Sequence, residues 1–439
     1  MDTLYCYMNG IKVGELTRNK HHALFFTYSA SWLNSPYARA ISLSMPLTAK
    51  RYSGDVVVNY FDNLLPDLPE IRRVVQTQVG ADSIEPFDLL TAVGSDCVGA
   101  LQLLTHDGTN GVTGLGDKLS DDEICVILKE LEHKPLGVDK GQEFRLSIAG
   151  AQSKTALCYK GGNWHKPIGE TPTTHIFKLP MGKVTDQHID FNDSCENEHY
   201  CMTLAREFGL DTPNSMVKKF GNTKAFIVER FDRKFNSDEG VTYRLPQEDF
   251  CQVFNVNSGL KYQSQGGIGI EKIYKMLLGS DNDKDLKDFM KAQIFNWLIA
   301  GIDAHAKNYS VFLLPGGGFK LTPFYDLLSA YPLFDNGLNY RDVSLAMGMR
   351  STNGLKYKWR KIQTRHFFHT AKEVGYSLAD MQQDIEMFYD TATQAMESAT
   401  NKVLKNNKDG DYSCIDSING GIKKLIKSKV IINPFENKY

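Results

Sequence analysis

The residue types best able to do chemistry stand in Asp303-Ala304-His305-Ala306-Lys307-Asn308, at the end of a long apolar run, with Tyr325-Asp326 following a hairpin pattern. Phosphoryl transfer from a nucleotide asks for a carboxylate beside the acceptor hydroxyl, oxygen ligands for Mg²⁺, a cation on the phosphates and a loop covering them. Asp303 suits the first task as catalytic base, and Asn308 and Asp326 suit the second. In protein kinases the loop aspartate and its asparagine stand five apart, and a second metal-binding aspartate follows a β-hairpin. Asp303 and Asn308 have that separation. A bare D-x-x-x-x-N arises by chance about once in a chain of this length, so the hairpin and Asp326 supply the specificity. The bland alternative is a polar helix end whose side chains satisfy loose backbone groups.

The remaining parts have candidates as well. Lys178 lies in THIFKLP among apolar neighbours, where an unpaired ammonium is costly, so a partner or a phosphate is expected. Glu198, on the next helix, is the candidate partner, with Glu196 two positions away and facing elsewhere; the plain alternative is a lysine snorkelling from a strand edge. Between a strand ending at Ser147 and one starting at Lys154 lie Ala149, Gly150, Ala151, Gln152 and Ser153, small enough for backbone amides to approach phosphates. This is not G-x-G-x-x-G and reads equally as an ordinary hairpin turn. In AFIVERFDR, the C=O of Glu229 and the N–H of Phe231, flanking Arg230, have the spacing of the acceptor and donor that an adenine base needs.

These side chains need elements to hold them. LYCYM and IKVGEL, joined by Asn9-Gly10, read as a hairpin with a type I′ turn. ALFFTY and ISLSMPL read as strands, residues 55–78 as helices broken at Pro66 and Pro69, and Ala100 to Leu104 as a strand. HDGTNGVTGLGDK, at 106–118, has four glycines and no apolar period and reads as a linker. Ser120 and Glu123 then form a capping box ahead of ICVILKEL. From about 143 the texture is β: FRLSI, KTALCYK, THIFKLP, SMVKKF and AFIVERF surround one helix over 194–208, with Tyr200, Cys201, Leu204, Ala205 and Phe208 on its apolar face and Glu196, Asn197 and Glu198 on the other. After about 246 helices dominate, except for the hairpin YSVFLL–PGGG–FKLTPFYD. The fold class is therefore α+β, with a kinase-like β-rich N-lobe and a mainly helical C-lobe behind an extra amino-terminal α+β subdomain. The expected boundaries are 1–108, 109–232 and 233–439.

A chain of 439 residues with 42% hydrophobic and 23% charged residues is a folded globular protein, not a low-complexity or disordered one. Fifty Lys and Arg against 52 Asp and Glu leave no global basic field for nucleic acid. The eight cysteines contain no C-x-x-C pair, so packed reduced thiols are expected. No stretch has the length and apolarity of a membrane span and no leader pattern opens the chain, which makes the cytoplasm the expected location.

The motifs RLSIAGAQSKTAL, THIFKLP, FIVERFDR, LPQEDFCQ, GIDAHAKNYSVF and LTPFYDLLSAYP, together with YMNGIKVGEL and YFDNLLPDLPEIR, resemble HipA, the serine/threonine kinase toxins of HipBA-type toxin–antitoxin systems. The likeness spans nearly the whole chain. It implies ATP and Mg²⁺ as cofactors, Asp303 as base, Asn308 and Asp326 as Mg²⁺ ligands, Lys178 on the phosphates and Glu229 to Phe231 on adenine. Residues 149–154 and the Asp303 loop, with His305, Ala306, Lys307 and Tyr325, would line the nucleotide. It also implies silencing by autophosphorylation of a loop serine, matched here by Ser147, while Ser153 stands where the family pattern has an acidic residue before the loop lysine. Implied partners are a HipB-like helix-turn-helix antitoxin dimer, operator DNA reached through that complex, and a protein substrate such as glutamyl-tRNA synthetase. No membrane is involved.

Between Asp342 and Glu373 stand Arg350, Lys356, Lys358, Arg360, Lys361, Arg365 and Lys372 with no acid among them. The resemblance makes Lys372, Arg365 and Lys361 candidate operator contacts; a solvated basic face is the alternative. Two other functions compete with a protein kinase toxin. One is a catalytically idle corepressor, which the full set of Lys178, Asp303, Asn308 and Asp326 argues against, and the other is a small-molecule kinase.

Overall fold

The computed structural model describes residues 2–108, 113–131, 152–184 and 189–435. The chain divides into two compact units, each discontinuous: Met1–Leu179, Lys219–Gly259 and Ser310–Thr322 form the first, and Pro180–Lys218, Leu260–Tyr309 and Pro323–Tyr439 the second. The fold is mixed α+β, as the sequence pattern requires.

The first unit begins with the expected hairpin, Asp2–Met8 against Ile11–Arg18, turned by Asn9 and Gly10 at φ of 48° and 80°. It lies in a five-stranded sheet ordered Tyr52–Ser53, Leu24–Tyr28, Ile11–Arg18, Asp2–Met8, Leu101–Leu104. Helices Asp55–Asp62, Pro69–Val79 and Pro86–Val93 contribute to the same core, where Leu16, Phe26, Phe61, Leu65 and Leu90 are fully buried. Pro69 sits in the first turn of its helix, where a missing N–H costs nothing. ISLSMPL, expected to be a strand, makes only a bridge between Ser42 and Met45. The cause is polar: the Ser42 hydroxyl and the Leu43 N–H donate to the buried Glu248 carboxylate at 2.5 and 2.6 Å, bending the segment away from strand pairing.

A second sheet of six strands runs Ser215–Phe220, Thr223–Glu229, His175–Lys178, Lys154–Lys160, Asn163–Gly169, Thr113–Leu119. Its last member corrects the linker expected over 106–118. Thr113–Leu119 is a strand, and Gly116 serves close pairing, since a Cβ there would lie 3.0 Å from the Lys166 carbonyl oxygen. The capping box forms as expected, with the Glu123 N–H donating to Ser120 Oγ at 3.3 Å and the Ser120 N–H to Glu123 Oε2 at 2.8 Å. Helix Asp121–Glu130 then buries Ile124 and Leu128 in a cluster with Leu157, Phe177, Phe220 and Ile227, each such side chain contributing about 1.5–3 kcal/mol. The Ser310–Leu313 and Phe319–Leu321 hairpin is present and joins Gln247–Asp249 in a three-stranded sheet of this unit.

The second unit is mostly helical, with Ser194–Glu207, Ile270–Leu277, Asp285–Leu298, Thr364–Val374, Leu378–Asn406 and Cys414–Ser428. Phe208 links two of them by ring contacts at 6.0 Å with Phe295 and 4.6 Å with Phe388. Helix Ser194–Glu207 departs from the amphipathic expectation, since Glu196, Asn197 and Glu198 are buried along with its apolar face. Distant groups satisfy them: Glu196 accepts from the Asp411 N–H at 3.0 Å, and Asn197 exchanges two bonds with the Ser329 backbone. All eight cysteines are buried and none is in a disulfide. Among the described residues no helix is long and apolar enough to cross a membrane.

Candidate active site

In the second unit, the loop of interest starts where helix Asp285–Leu298 ends. Ala300 takes a left-handed φ of 52°, and Gly301 donates to the Asn296 carbonyl at 2.7 Å, where an added Cβ would sit 2.8 Å from Asn296 Oδ1. The side-chain amides of Asn296 and Gln293 both donate to the Tyr309 hydroxyl, at 2.9 and 3.2 Å. The helix end is thereby tied to the residue that closes the loop. Inside it, Asn308 Nδ2 donates to the Asp303 carbonyl oxygen at 2.9 Å, and the His305 N–H donates to the same oxygen at 2.8 Å. The five-residue spacing thus has a local cause, because the amide at 308 closes the turn that begins at 303.

Burial separates the loop residues by role. His305, Ala306, Lys307 and Asn308 are buried, whereas the Asp303 side chain is 55% exposed. Its Oδ1 accepts from the Tyr262 hydroxyl and lies 3.8 Å from His305 Nε2. Tyr325 returns to this loop, donating from its hydroxyl to the Lys307 carbonyl at 3.0 Å, and Asp326 follows it at a left-handed φ of 58°. A non-glycine residue in that region is held there by its surroundings. Asp303, His305, Ala306, Lys307, Asn308, Tyr325 and Asp326 therefore all belong to one unit, as the sequence order suggests.

The donor chemistry fits Mg²⁺. Asn308 Oδ1 accepts no hydrogen bond from any described residue, and with the Asp326 carboxylate it offers the hard oxygen ligands that Mg²⁺ takes alongside nucleotide phosphates. Among the described residues no cluster of three or more His, Cys, Asp or Glu could hold a metal.

In the first unit, Lys154 and Lys178 stand directly opposite each other on paired strands, so their side chains share one face of the sheet. Both are buried, and Lys178 Nζ lies 5.6 Å from the centre of the Phe226 ring. The end of the small-residue turn is anchored beside them: Gln152 Nε2 donates to the Leu179 carbonyl, and the Leu179 N–H donates to the Ser153 carbonyl at 3.3 Å. Ser147, Ala149, Gly150 and Ala151 lie outside the described residues. Glu198 is buried on its helix in the second unit.

Glu229, Arg230 and Phe231 leave their strand in a segment held from behind. The Arg230 N–H donates to the Thr174 carbonyl at 2.8 Å, and its guanidinium is engaged in a buried network rather than offered to a ligand. Arg230, Arg233 and Arg244 converge on Asp96 at 3.2, 2.8 and 3.0 Å, while Asp232 binds Arg230 and accepts the Gly99 N–H, both at 2.8 Å. Burial alone would push the Asp96 carboxyl up, but the three guanidiniums outweigh it and hold the group below the usual carboxylate range. Asp96 and Tyr262 were not legible as site residues, because their partners are remote in sequence and neither stands in a spacing that implies chemistry.

The candidate DNA residues are all exposed in the second unit. Arg365 and Lys372 lie on helix Thr364–Val374, Lys361 stands just before it, and Lys372 Nζ lies 4.1 Å from the Phe435 ring centre.

Residues 4–104 match the family described as the HipA N-terminal domain, and residues 146–400 the HipA-like C-terminal domain. The chain is 33% identical over 402 residues, 90% of each protein, to Y4mE of Sinorhizobium fredii, which bears a kinase name. It is 27% identical over 340 residues, 74% of this chain and 75% of the relative, to the serine/threonine-protein kinase toxin HipA of Shewanella oneidensis. In fold it is similar to a chain from the solved complex of Shewanella oneidensis HipA, HipB and operator DNA, with a TM-score of 0.80, 22% identity and 97% of both chains covered.

Proposed function

The chain belongs to the HipA-like serine/threonine kinase toxin family, and from that membership and the Asp303 loop we propose that it transfers the γ-phosphate of ATP to a protein serine or threonine. The observation that carries this reading is the closed turn in which Asn308 holds the Asp303 backbone while the Asp303 carboxylate faces solvent. Asp303 takes the proton of the acceptor hydroxyl. Lys178, with Lys154, holds the phosphates, Glu198 pairs with Lys178, and residues 149–154 cover the nucleotide. Glu229 C=O and Phe231 N–H hold adenine. Asn308 and Asp326 hold Mg²⁺, which when bound neutralises charge on the transferring phosphoryl group. The segments 1–108, 109–232 and 233–439 remain the proposed functional division.

Regulation and partners follow from the family. Ser147 is the proposed autophosphorylation site, with Ser153 as the competing hydroxyl. A HipB-like dimer restrains the chain and carries it to operator DNA, where Lys361, Arg365 and Lys372 meet phosphates. The first substrate to test is glutamyl-tRNA synthetase. Incubation of the purified chain with labelled ATP and a cell lysate decides the class of function. Label in a protein band is the expected result; label in a small molecule would make it a small-molecule kinase, and no transfer would leave a corepressor.

A further inference from the structure

Tyr262 lies outside every motif named above, yet its hydroxyl donates to the carboxylate of the base candidate. The segment that carries it is built to a fixed shape. The Tyr262 carbonyl accepts from the N–H groups of both Gln265 and Gly267 at 3.0 Å, and Gly266 takes a φ of 100°. A Cβ at Gly267 would lie 2.2 Å from the Leu260 carbonyl oxygen and 2.8 Å from that of Tyr262, so only glycine lets the turn close. Gln263, the next residue, accepts the Gly348 N–H at 2.7 Å and moors the turn to strand Ser344–Ser351. The Tyr262 ring stands edge-on to His305, with centroids 5.3 Å apart and planes at 88°.

The result is a carboxylate with two unlike oxygens. Oδ1 is held by Tyr262 and faces His305, whereas Oδ2 receives no hydrogen bond from any described residue on a side chain that is 55% exposed. A carboxylate's terminal torsion is otherwise broad, so a single donor on one oxygen selects the orientation in which the other points outward. We propose that Tyr262 is a positioning residue that fixes the Asp303 carboxylate by Oδ1 and presents Oδ2 to the acceptor hydroxyl, a role that rests on the kinase reading. In the step this serves, the acceptor oxygen bonds to the γ-phosphorus and the bond from that phosphorus to the β–γ bridging oxygen breaks. ADP leaves with that electron pair, and the acceptor proton passes to Asp303 Oδ2. Tyr262 keeps its own proton throughout and steadies the charge on Oδ1.

The test uses the full chain, labelled ATP and dephosphorylated casein as a generic Ser/Thr acceptor, comparing wild type with Tyr262→Phe and Tyr262→Ala. Tyr262→Phe keeps the ring against His305 and removes only the hydroxyl. Its kcat should fall about tenfold, part of the 10²–10⁴ that a positioned general base supplies, with the KM for ATP and the thermal midpoint unchanged. Tyr262→Ala should lose at least as much. A Tyr262→Phe variant within twofold of wild-type kcat overturns the proposal, as does a loss of kcat matched by a risen KM and a lowered midpoint, the mark of a structural role. If wild type transfers no phosphate to casein or to any protein of a cell lysate while still binding ATP, the kinase reading fails first and the role of Tyr262 falls with it.

Discussion

Asp303 is open to solvent while His305 to Asn308 are buried, and that contrast sets what substitution should do. Asp303→Asn keeps the size and the backbone bonds of the loop but removes the proposed proton acceptor. Phosphate transfer should fall by at least about 10², with unfolding by denaturant unchanged. Asp326→Asn should abolish transfer similarly, through loss of the proposed anionic metal ligand, and asparagine tolerates the left-handed φ of 58° that this position needs. Full activity in either variant, measured with labelled ATP, would remove the loop from the chemistry. This much of the candidate site is legible in the sequence because its parts are local: a candidate base, an amide closing the same turn, and a carboxylate after a short hairpin. Tyr262 was not, since only the folded turn at Gly266 and Gly267 brings its hydroxyl to a residue far along the chain.

At the scale of elements, the segment proposed to hold adenine rests on a buried cluster of three arginines and two aspartates. Asp96→Asn would leave the guanidiniums of Arg230, Arg233 and Arg244 facing a single remaining carboxylate among the five, a change that should cost about 3–5 kcal/mol in urea unfolding. The bend at Ser42 gives a second prediction. Burial pushes the Glu248 carboxyl up to about 8 against the bonds from Ser42 and Leu43, so the folded protein holds a proton there that the unfolded chain, near its usual 4.5, releases. Its contribution to stability is fully present below about 4.5 and is lost as pH rises toward about 8, with a slope of at most about 1.4 kcal/mol per unit. Glu248→Gln should flatten that part of a stability–pH curve. Element types followed from periodicity and caps in most described segments, as at Ser120, but the helical reading after about 246 missed the strand Gln247–Asp249 and a second hairpin, Ser344–Ser351 with Gly354–Lys358. They failed where a remote partner decided the outcome: Glu248 for ISLSMPL, the Lys166 backbone for the glycine-rich strand, and Asp411 and Ser329 for the polar side of helix Ser194–Glu207.

For the whole molecule, a net charge of −2 leaves DNA binding to a local patch on the proposed complex. Within the basic island, Arg350 is paired with Glu373 at 3.5 Å and Lys358 with the Asp342 carbonyl at 2.6 Å, while Lys361 and Arg365 stand exposed. In the reconstituted antitoxin–operator complex, Lys372→Ala should flatten the slope of log K against log salt by about 0.9 with sequence preference unchanged. An unchanged slope would return the helix to solvent duty. The interleaved course of the chain reaches further, to the ribosome. The strand Gln247–Asp249 finds its neighbour only in Ser310–Leu313, and the second unit is finished only with the helices beyond residue 378. At about 5–20 residues per second, neither unit can close until late in synthesis. A chain made this way spends most of its birth incomplete, and nascent chains stalled before Ser310 carry Gln247–Asp249 as an unpaired strand that a protease or chaperone can read.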